Sequence, residues 1–127
     1  MGFAVVLEHI NRRLGTILSD MLLDIESEGA NEMMTIADRL LKLHDETDAQ
    51  LCDLGHRVLS ATIRDAAVSL NHWAREKGGD VVVADDREYL REVYQALKDI
   101  NDRIGTGEYY SELMKIKSSR LREGAEV

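Results

Sequence analysis

The sequence contains no proline, only one cysteine, few aromatic residues and no long apolar run. Without proline, no ring removes a backbone N–H and forces a helix to kink or end. The single thiol, Cys52, excludes an intramolecular disulfide, so a reducing cytoplasm is the expected compartment. We expect no membrane span, which needs roughly 20 apolar residues, and no signal peptide, because no basic segment precedes the first apolar run.

Aromatic residues make up 5% of the 127 residues, whereas hydrophobic residues as a group make up 44%. A core must therefore consist mainly of Leu, Ile, Val, Met and Ala, a composition that favours helix packing over a β-sandwich. The length is that of one domain. We expect residues 1–127 to form this domain, with a frayed tail at 124–127.

Acidic residues outnumber basic ones by 24 to 16, which leaves a net charge of −8. This balance argues against binding of nucleic-acid phosphates over the whole surface, and it is compatible with a basic protein partner. On a predicted helix near the C-terminal end, Lys98–Asp102 and Asp99–Arg103 are spaced as i,i+4 ion pairs.

Between Asn31 and Lys77 the chain has one glycine, Gly55, and apolar residues recur every three or four positions. This period predicts an amphipathic helix that begins at Asn31 as N-cap. The apolar stripe keeps one phase up to Val58, and a second phase, rotated by about 100°, starts at Leu59. Two interpretations fit: a break near Gly55, or one helix that contacts two neighbours in turn. We favour the continuous or kinked helix, because no N-cap and capping box follow Gly55.

Three further helices follow from the same period, and glycines mark their ends. The first covers about residues 3–28, with an interior glycine, Gly15, that would allow close approach of another helix. The second of these three begins with Asp85 as N-cap and Glu88 completing a capping box. The last, a short helix, covers residues 108–122. We expect the valines at 81–83 to form a loop that covers the core.

Short turns make sequential helices antiparallel neighbours. We therefore predict an all-α protein, an antiparallel helical bundle of four or five helices dominated by two long N-terminal helices. A continuous helix over residues 31–77 would extend about 70 Å, whereas a compact globule of this length has a radius of gyration of about 14 Å. Its far end would need cover from a second subunit, so we expect a homodimer.

The strongest candidate for chemistry is a row of four metal-ligand types, His44, Asp48, Cys52 and His56, each four residues after the last. Positions four apart share one face of a helix, and such pairs hold zinc in helical sites. One ion cannot use all four, because His44 and His56 are about 18 Å apart along the axis. We expect the row to be structural, with no metal and no cofactor.

Catalysis finds little support in the sequence. Cys52 has His56 one turn away, a spacing that can favour a thiolate, but no oxyanion or orienting element can be identified near them. No phosphate-binding glycine loop and no nucleophile-elbow motif is present. We therefore expect a protein that is not an enzyme.

Four carboxylates, Asp20, Asp24, Glu28 and Glu32, gather around the predicted turn between the first two helices, with Glu26 beside them. Asp24 and Glu28 are like charges four residues apart at a helix C-terminus, where negative charge is disfavoured. Such an arrangement is found where a cation or a basic partner binds, and equally at a solvated loop. These four carboxylates are the candidate partner-binding residues.

The last predicted helix has a cluster of basic residues at its end, Lys115, Lys117, Arg120 and Arg122. Basic side chains there complement the helix dipole, and the alternative is a local contact with nucleic acid or an acidic partner.

Taken together, the sequence favours a non-enzymatic interaction or assembly protein, adaptor-like or chaperone-like, that acts through its oligomeric helical surface. A helical or basic protein is the expected partner. Two alternatives stay open: a metal-binding bundle that uses the histidine row, and an acidic regulator that contacts or mimics nucleic acid. No motif in the chain identifies a family.

Overall fold

The computed structural model describes residues 3–27, 29–53, 55–78, 80–112 and 114–115, and these residues form helices and turns without any strand. Four helices have similar lengths: α1 (Phe3–Ile25), α2 (Met33–Asp53), α3 (Arg57–Lys77) and α4 (Ala84–Gly105). A short fifth helix covers residues 108–112 and 114–115. The predicted all-α bundle is therefore confirmed. The predicted frayed tail at 124–127 lies outside the described residues.

The predicted long helix over residues 31–77 is two helices, because the chain turns at Gly55. Gly55 has φ +83°, a left-handed conformation that is costly for residues with a Cβ. Its N–H donates to the Cys52 carbonyl at 2.9 Å, and the N–H of His56 donates to the Leu51 carbonyl at 2.8 Å. This pair of bonds is the Schellman motif, which ends a helix. The continuous helix was therefore wrong, and no two N-terminal helices dominate the bundle.

The start of α3 explains why the break near Gly55 was not the favoured interpretation. His56 takes the N-cap position, and its ring Nδ1 accepts the N–H of Leu59 at 3.4 Å. Ser, Thr, Asp and Asn are the residues that usually cap a helix in this way. A histidine cap carries no recognisable start signal in the sequence.

The change of apolar phase at this break is confirmed by burial. The buried residues of α2 follow the first phase: Met33, Ile36, Ala37, Leu40, Leu43, Thr47 and Leu51. Those of α3 follow the second phase: Leu59, Ser60, Ile63, Ala66, Ala67 and Leu70. Val58 was expected to close the first stripe, yet its side chain is 72% exposed, because the turn at Gly55 ends that stripe before it.

The four long helices contact one another in a closed ring. α1 packs against α2 and α4, and α3 packs against the same two helices; among the described residues the diagonal pairs make no close backbone contact. The predicted apolar lines of α1 and α4 face the centre of this ring: Leu7, Ile10, Leu14, Ile17, Met21, Ile25, Leu90, Leu97, Ile100 and Ile104. No helix in the described part of the chain has the length and hydropathy needed to cross a bilayer.

Two predicted helix starts are displaced by two residues or fewer. α2 begins at Met33, later than the Asn31 cap implied. α4 begins at Ala84, and Asp86 in its first turn accepts the backbone N–H of Val83 at 2.9 Å. Val83 therefore takes the N-cap position that we predicted for Asp85, and Asp86 takes the N3 role that we predicted for Glu88. Tertiary contacts with Trp73 and Lys77 hold Asp86 in this position.

The loop between α3 and α4 covers the core with one valine rather than three. Val82 is partly buried and packs against the core. Val81 and Val83 are exposed. Alternation of side chains along an extended segment explains why only the middle residue points inward.

Candidate functional site

The turn at Gly55 divides the row of metal-ligand types. His44, Asp48 and Cys52 stay together on α2, where α3 adds Ser60. Oδ1 of Asp48 accepts the Ser60 hydroxyl at 2.5 Å and the Cys52 thiol at 3.4 Å, and Nε2 of His44 lies 3.5 Å from the same oxygen. The bond from Ser60, then that from Cys52, lowers the pKa of Asp48. Asp48 is thus an ionised carboxylate that joins α2 to α3.

Cys52 lacks the surroundings of a reactive cysteine. Burial raises the pKa of its thiol, and Asp48 raises that pKa further, both as hydrogen-bond acceptor and as a negative charge. The thiolate is the nucleophilic form of cysteine, so a raised pKa suppresses its reactivity near neutral pH. His56, the suggested activating residue, lies beyond the helix break and bonds elsewhere.

His56 forms the centre of a second cluster at the start of α3. Its Nδ1 accepts the Leu59 N–H, and its Nε2 lies 3.1 Å from Oε2 of Glu112 on the fifth helix. These two bonds place the ring proton on Nε2, from which it donates to Glu112. The His56 ring also meets Tyr109 edge-on, with 4.8 Å between ring centroids. His56 therefore ties α3 to the fifth helix.

Arg103, at the end of α4, completes this cluster. Its guanidinium lies 4.5 Å from the centroid of the Tyr109 ring, and Nη1 donates to the Tyr109 hydroxyl at 3.0 Å. Glu108 pairs with it at 2.8 Å; this bond raises the pKa of Arg103 and lowers that of Glu108. Burial raises the pKa of Tyr109.

The ion pairs predicted on α4 are half confirmed. Lys98 bonds to Asp102 at 2.8 Å as expected. Arg103 pairs with Glu108 rather than with Asp99, because the chain turns back after α4 and brings Glu108 close to the end of that helix. Asp99 accepts the side-chain amide of Gln95 instead.

A cleft of about 490 Å³ opens beside this cluster. The turn before α3, the first residues of α3, the end of α4 and the fifth helix line it: Gly55, His56, Arg57, Val58, Arg103, Tyr109, Glu112 and Lys115. We call it the α3 cleft. Tyr109 provides a buried aromatic surface, and Arg57, Arg103 and Lys115 provide positive charge within an acidic chain. No sequence pattern predicted this site, since the spacing of its residues along the chain carries no periodic signal.

The carboxylates around the α1–α2 turn find ion-pair and hydrogen-bond partners within the molecule. Asp20 pairs with Arg39 at 2.7 Å. Asp24 is buried, and its Oδ2 accepts the backbone N–H of Glu32 at 3.0 Å. The Ser27 hydroxyl donates to the backbone carbonyl of Asp24 at 2.6 Å and lies 3.4 Å from its Oδ1. A carboxylate at the start of α2 is favoured by the positive end of the helix dipole.

Two neighbouring contacts extend this internal pairing. Glu26 pairs with Arg91 at 3.0 Å, and Arg87 donates to the backbone carbonyls of Ile25 and Ser27 at the end of α1. Glu28 lies outside the described residues. Partner binding at Asp20, Asp24, Glu28 and Glu32 stays a prediction, and two of these carboxylates already have internal partners.

Metal ligation has little geometric basis in the described residues. No group of three or more His, Cys, Asp or Glu side chains there is arranged to hold a metal ion, and His44 and His56 bond in separate clusters. Of the predicted basic cluster, Lys115 lines the α3 cleft, whereas Lys117, Arg120 and Arg122 lie outside the described residues.

Comparisons with protein-family models, curated proteins and solved structures find no match to this chain.

Proposed function

We propose that the protein is a non-enzymatic interaction or assembly protein that binds its partner along the exposed side of α3. Val58 and Val68 are 72% and 53% exposed, and Ala61 between them is exposed. These three positions share one helical face about 15 Å long. We call them the α3 face; Asp65 and His72 lie on the same side.

The single observation that carries the proposal is the continuity of the α3 face with the α3 cleft. Exposed apolar side chains scattered singly are ordinary. Here Val58 belongs to both features, so an apolar row leads directly into a concave cleft with Tyr109 buried in its wall. Concave surfaces with an aromatic residue at the centre are typical of protein interfaces.

The titratable groups in and near the cleft support a binding role over a catalytic one. Asp48 serves as an acceptor between two helices, His56 caps α3, and Arg103 stacks on Tyr109. General acid–base catalysis needs a group that is free to exchange a proton with a substrate. Each of these groups is instead engaged in holding helices together.

The proposal includes an antiparallel arrangement and a homodimer in the cytoplasm. Two ion pairs between α1 and α2 support an antiparallel arrangement of these helices. His9 lies beside Glu46, and the later residue Asp20 lies beside the earlier residue Arg39. The original reason for a dimer, a helix of about 70 Å, no longer applies. The remaining support for a dimer is the set of exposed apolar side chains. The presence of a single cysteine supports the reducing cytoplasm as compartment.

The proposal is tested with a double variant, Val58→Asp with Val68→Asp, against a matched control, Val81→Asp with Val83→Asp. All four valines are exposed, so both variants should fold, which circular dichroism will check. The native protein and both variants are used to capture partners from host extract, and each captured protein is purified and titrated directly by calorimetry.

We expect at least one purified partner whose affinity falls by roughly tenfold or more with the α3-face variant and stays unchanged with the control. Charged residues on an apolar contact add an unpaired, desolvated group, which weakens binding. If every purified partner binds both variants equally well, the α3 face is not the docking surface and the proposal fails.

A further inference from the structure

Two cations in the α3 cleft form no ion pair within the described part of the chain, although the charge of Arg57 helps to lower the pKa of Asp48 after the bonds from Ser60 and Cys52. Arg57, the first residue of α3, and Lys115, on the fifth helix, take part in none of the ion pairs within the described part of the chain. Both line the cleft. Lys42, Arg64 and Arg75 are also in none of these ion pairs, so Arg57 and Lys115 are distinguished by their shared place in one concave cleft.

The third cation of the cleft has a different role. Arg103 is paired with Glu108 and stacks on Tyr109, so its charge is already matched. Glu112, opposite, is engaged with His56 at 3.1 Å. The charge available to a ligand therefore comes from Arg57 and Lys115, and an apolar contact is available at Val58 beside them.

This combination defines the chemistry of the occupant. Carboxylates complement two unpaired cations, and an apolar side chain complements Val58 and the α3 face that extends from it. A nucleic acid fits less well, because its affinity depends on many phosphate contacts, whereas the cleft offers two free cations beside Glu108 and Glu112 on a chain of net charge −8.

We propose that the α3 cleft binds an acidic amphipathic segment of a partner protein. Its carboxylates contact Arg57 and Lys115, and its apolar side chains lie along Val58, Ala61 and Val68. This inference rests on the proposed function and adds to it the class of partner.

The test uses a synthetic helix-forming peptide of about 14 residues, enough to cover the α3 face. It carries leucines at i, i+3, i+7 and i+10 and glutamates at the flanking positions; a second peptide has lysines in place of the glutamates. Binding to the full chain is measured by fluorescence anisotropy at about 50 mM and about 300 mM NaCl. The variant is Arg57→Glu with Lys115→Glu. The control is Arg12→Glu with Lys42→Glu, which changes the net charge equally at exposed sites on α1 and α2, outside the cleft and away from the α3 face.

We expect the glutamate peptide to bind more tightly than the lysine peptide, and the cleft variant to weaken it by roughly tenfold at low salt, with a smaller difference at high salt. Thermal unfolding of each variant checks that it folds. Equal weakening by the control overturns the inference, as does a preference for the lysine peptide. Competition by a DNA duplex that depends on Arg57 and Lys115 also overturns it, in favour of a phosphate polymer.

The two proposals can fail separately. If the α3-face valine variant loses a native partner while the cleft charge reversal leaves that partner and the peptide unaffected, the interaction function stands and the acidic partner is wrong. If the valine variant affects no partner and the glutamate peptide still binds through Arg57 and Lys115, the cleft binds acidic segments without the α3 face.

Discussion

At the residue scale, Asp86 shows how one carboxylate can join two helices. It lies in the first turn of α4 and accepts the indole N–H of Trp73 at 3.1 Å and the backbone N–H of Val83 at 2.9 Å. Its Oδ2 also pairs with Lys77, near the end of α3. The bond from Lys77, then that from Val83, lowers its pKa to about 2. Three donors that favour the charged form explain the direction of this shift.

The lowered pKa of Asp86 predicts that the folded state loses stability at acid pH. The folded-state pKa is about 2 and the ordinary value is 3.8, so the carboxylate contributes its full stabilisation above the ordinary value. That contribution is lost as the pH falls from 3.8 towards about 2. Asp86→Asn should therefore lower the melting temperature at pH 7, and the difference from the native protein should shrink across this window.

Trp73 provides the local readout for this prediction, because it is the only tryptophan of the chain and bonds directly to Asp86. In the native protein its fluorescence should change with a midpoint at about pH 2, the folded-state pKa of Asp86, and this transition should be absent in Asp86→Asn. A Glu88→Gln variant, which changes a neighbouring exposed carboxylate, serves as control. A melting-temperature difference that stays constant down to pH 2 would contradict the assigned role of Asp86.

At the element scale, α1 and α4 meet through small residues and asparagines. Nδ2 of Asn11 donates to both the backbone and side-chain oxygens of Asn101, each at 3.0 Å. A Cβ added at Gly15 would meet Nδ2 of Asn101 at 3.7 Å, and one added at Gly105 would meet Nδ2 of Asn11 at the same distance. These are ordinary contacts, so the close approach of another helix that Gly15 would allow is not found at this position.

This geometry predicts opposite effects for two glycine-to-alanine substitutions. Gly15→Ala should raise the free energy of unfolding by about 0.5–1 kcal/mol, because alanine is the better residue inside a helix and has room there. Gly78→Ala should lower it by about 1 kcal/mol, because Gly78 ends α3 with φ +52° and a Cβ is strained in that conformation.

Urea unfolding followed by circular dichroism measures both substitutions under the same conditions. Each variant is the other's control, since the same methyl group is added in both. A loss of stability in Gly15→Ala would mean that the α1–α4 contact is tighter than 3.7 Å. An unchanged or raised stability in Gly78→Ala would mean that the helix end rearranges.

At the scale of the whole molecule, the four long helices cover one another in a ring, and none projects beyond it to require a second subunit. Self-association must then depend on surface side chains, of which Leu23 and Val58 are the most exposed apolar residues within described helices. A net charge of −8 per chain opposes association of two copies.

Light scattering at micromolar concentration tests the proposed homodimer. We expect a dimeric mass, and a dimer fraction that rises with salt, because salt screens the repulsion between two acidic chains. Leu23→Asp and Val58→Asp each place a charge on one exposed apolar site. The variant that lowers the dimer fraction identifies the site that lies in the dimer interface. A monomeric mass at all salt concentrations would contradict the dimer.

The sequence by itself determined the helical period, the apolar lines of α1 and α4, and the existence of a second apolar phase from Leu59 onward. These features depend on residues three and four apart, and local spacing is sufficient to define them. The sequence also contained the helix-ending glycine, Gly55, although its effect was underestimated.

Only the tertiary structure decided that His56 caps α3, that Arg103 pairs with Glu108 rather than Asp99, and that Asp86 rather than Glu88 accepts the N-cap N–H of α4. The α3 cleft likewise exists only because a turn brings the fifth helix back beside the start of α3. The physical reason is common to all of them. A polar side chain takes the partner that packing brings within about 3 Å, and the distance between two atoms in space is not encoded by the separation of their residues along the chain.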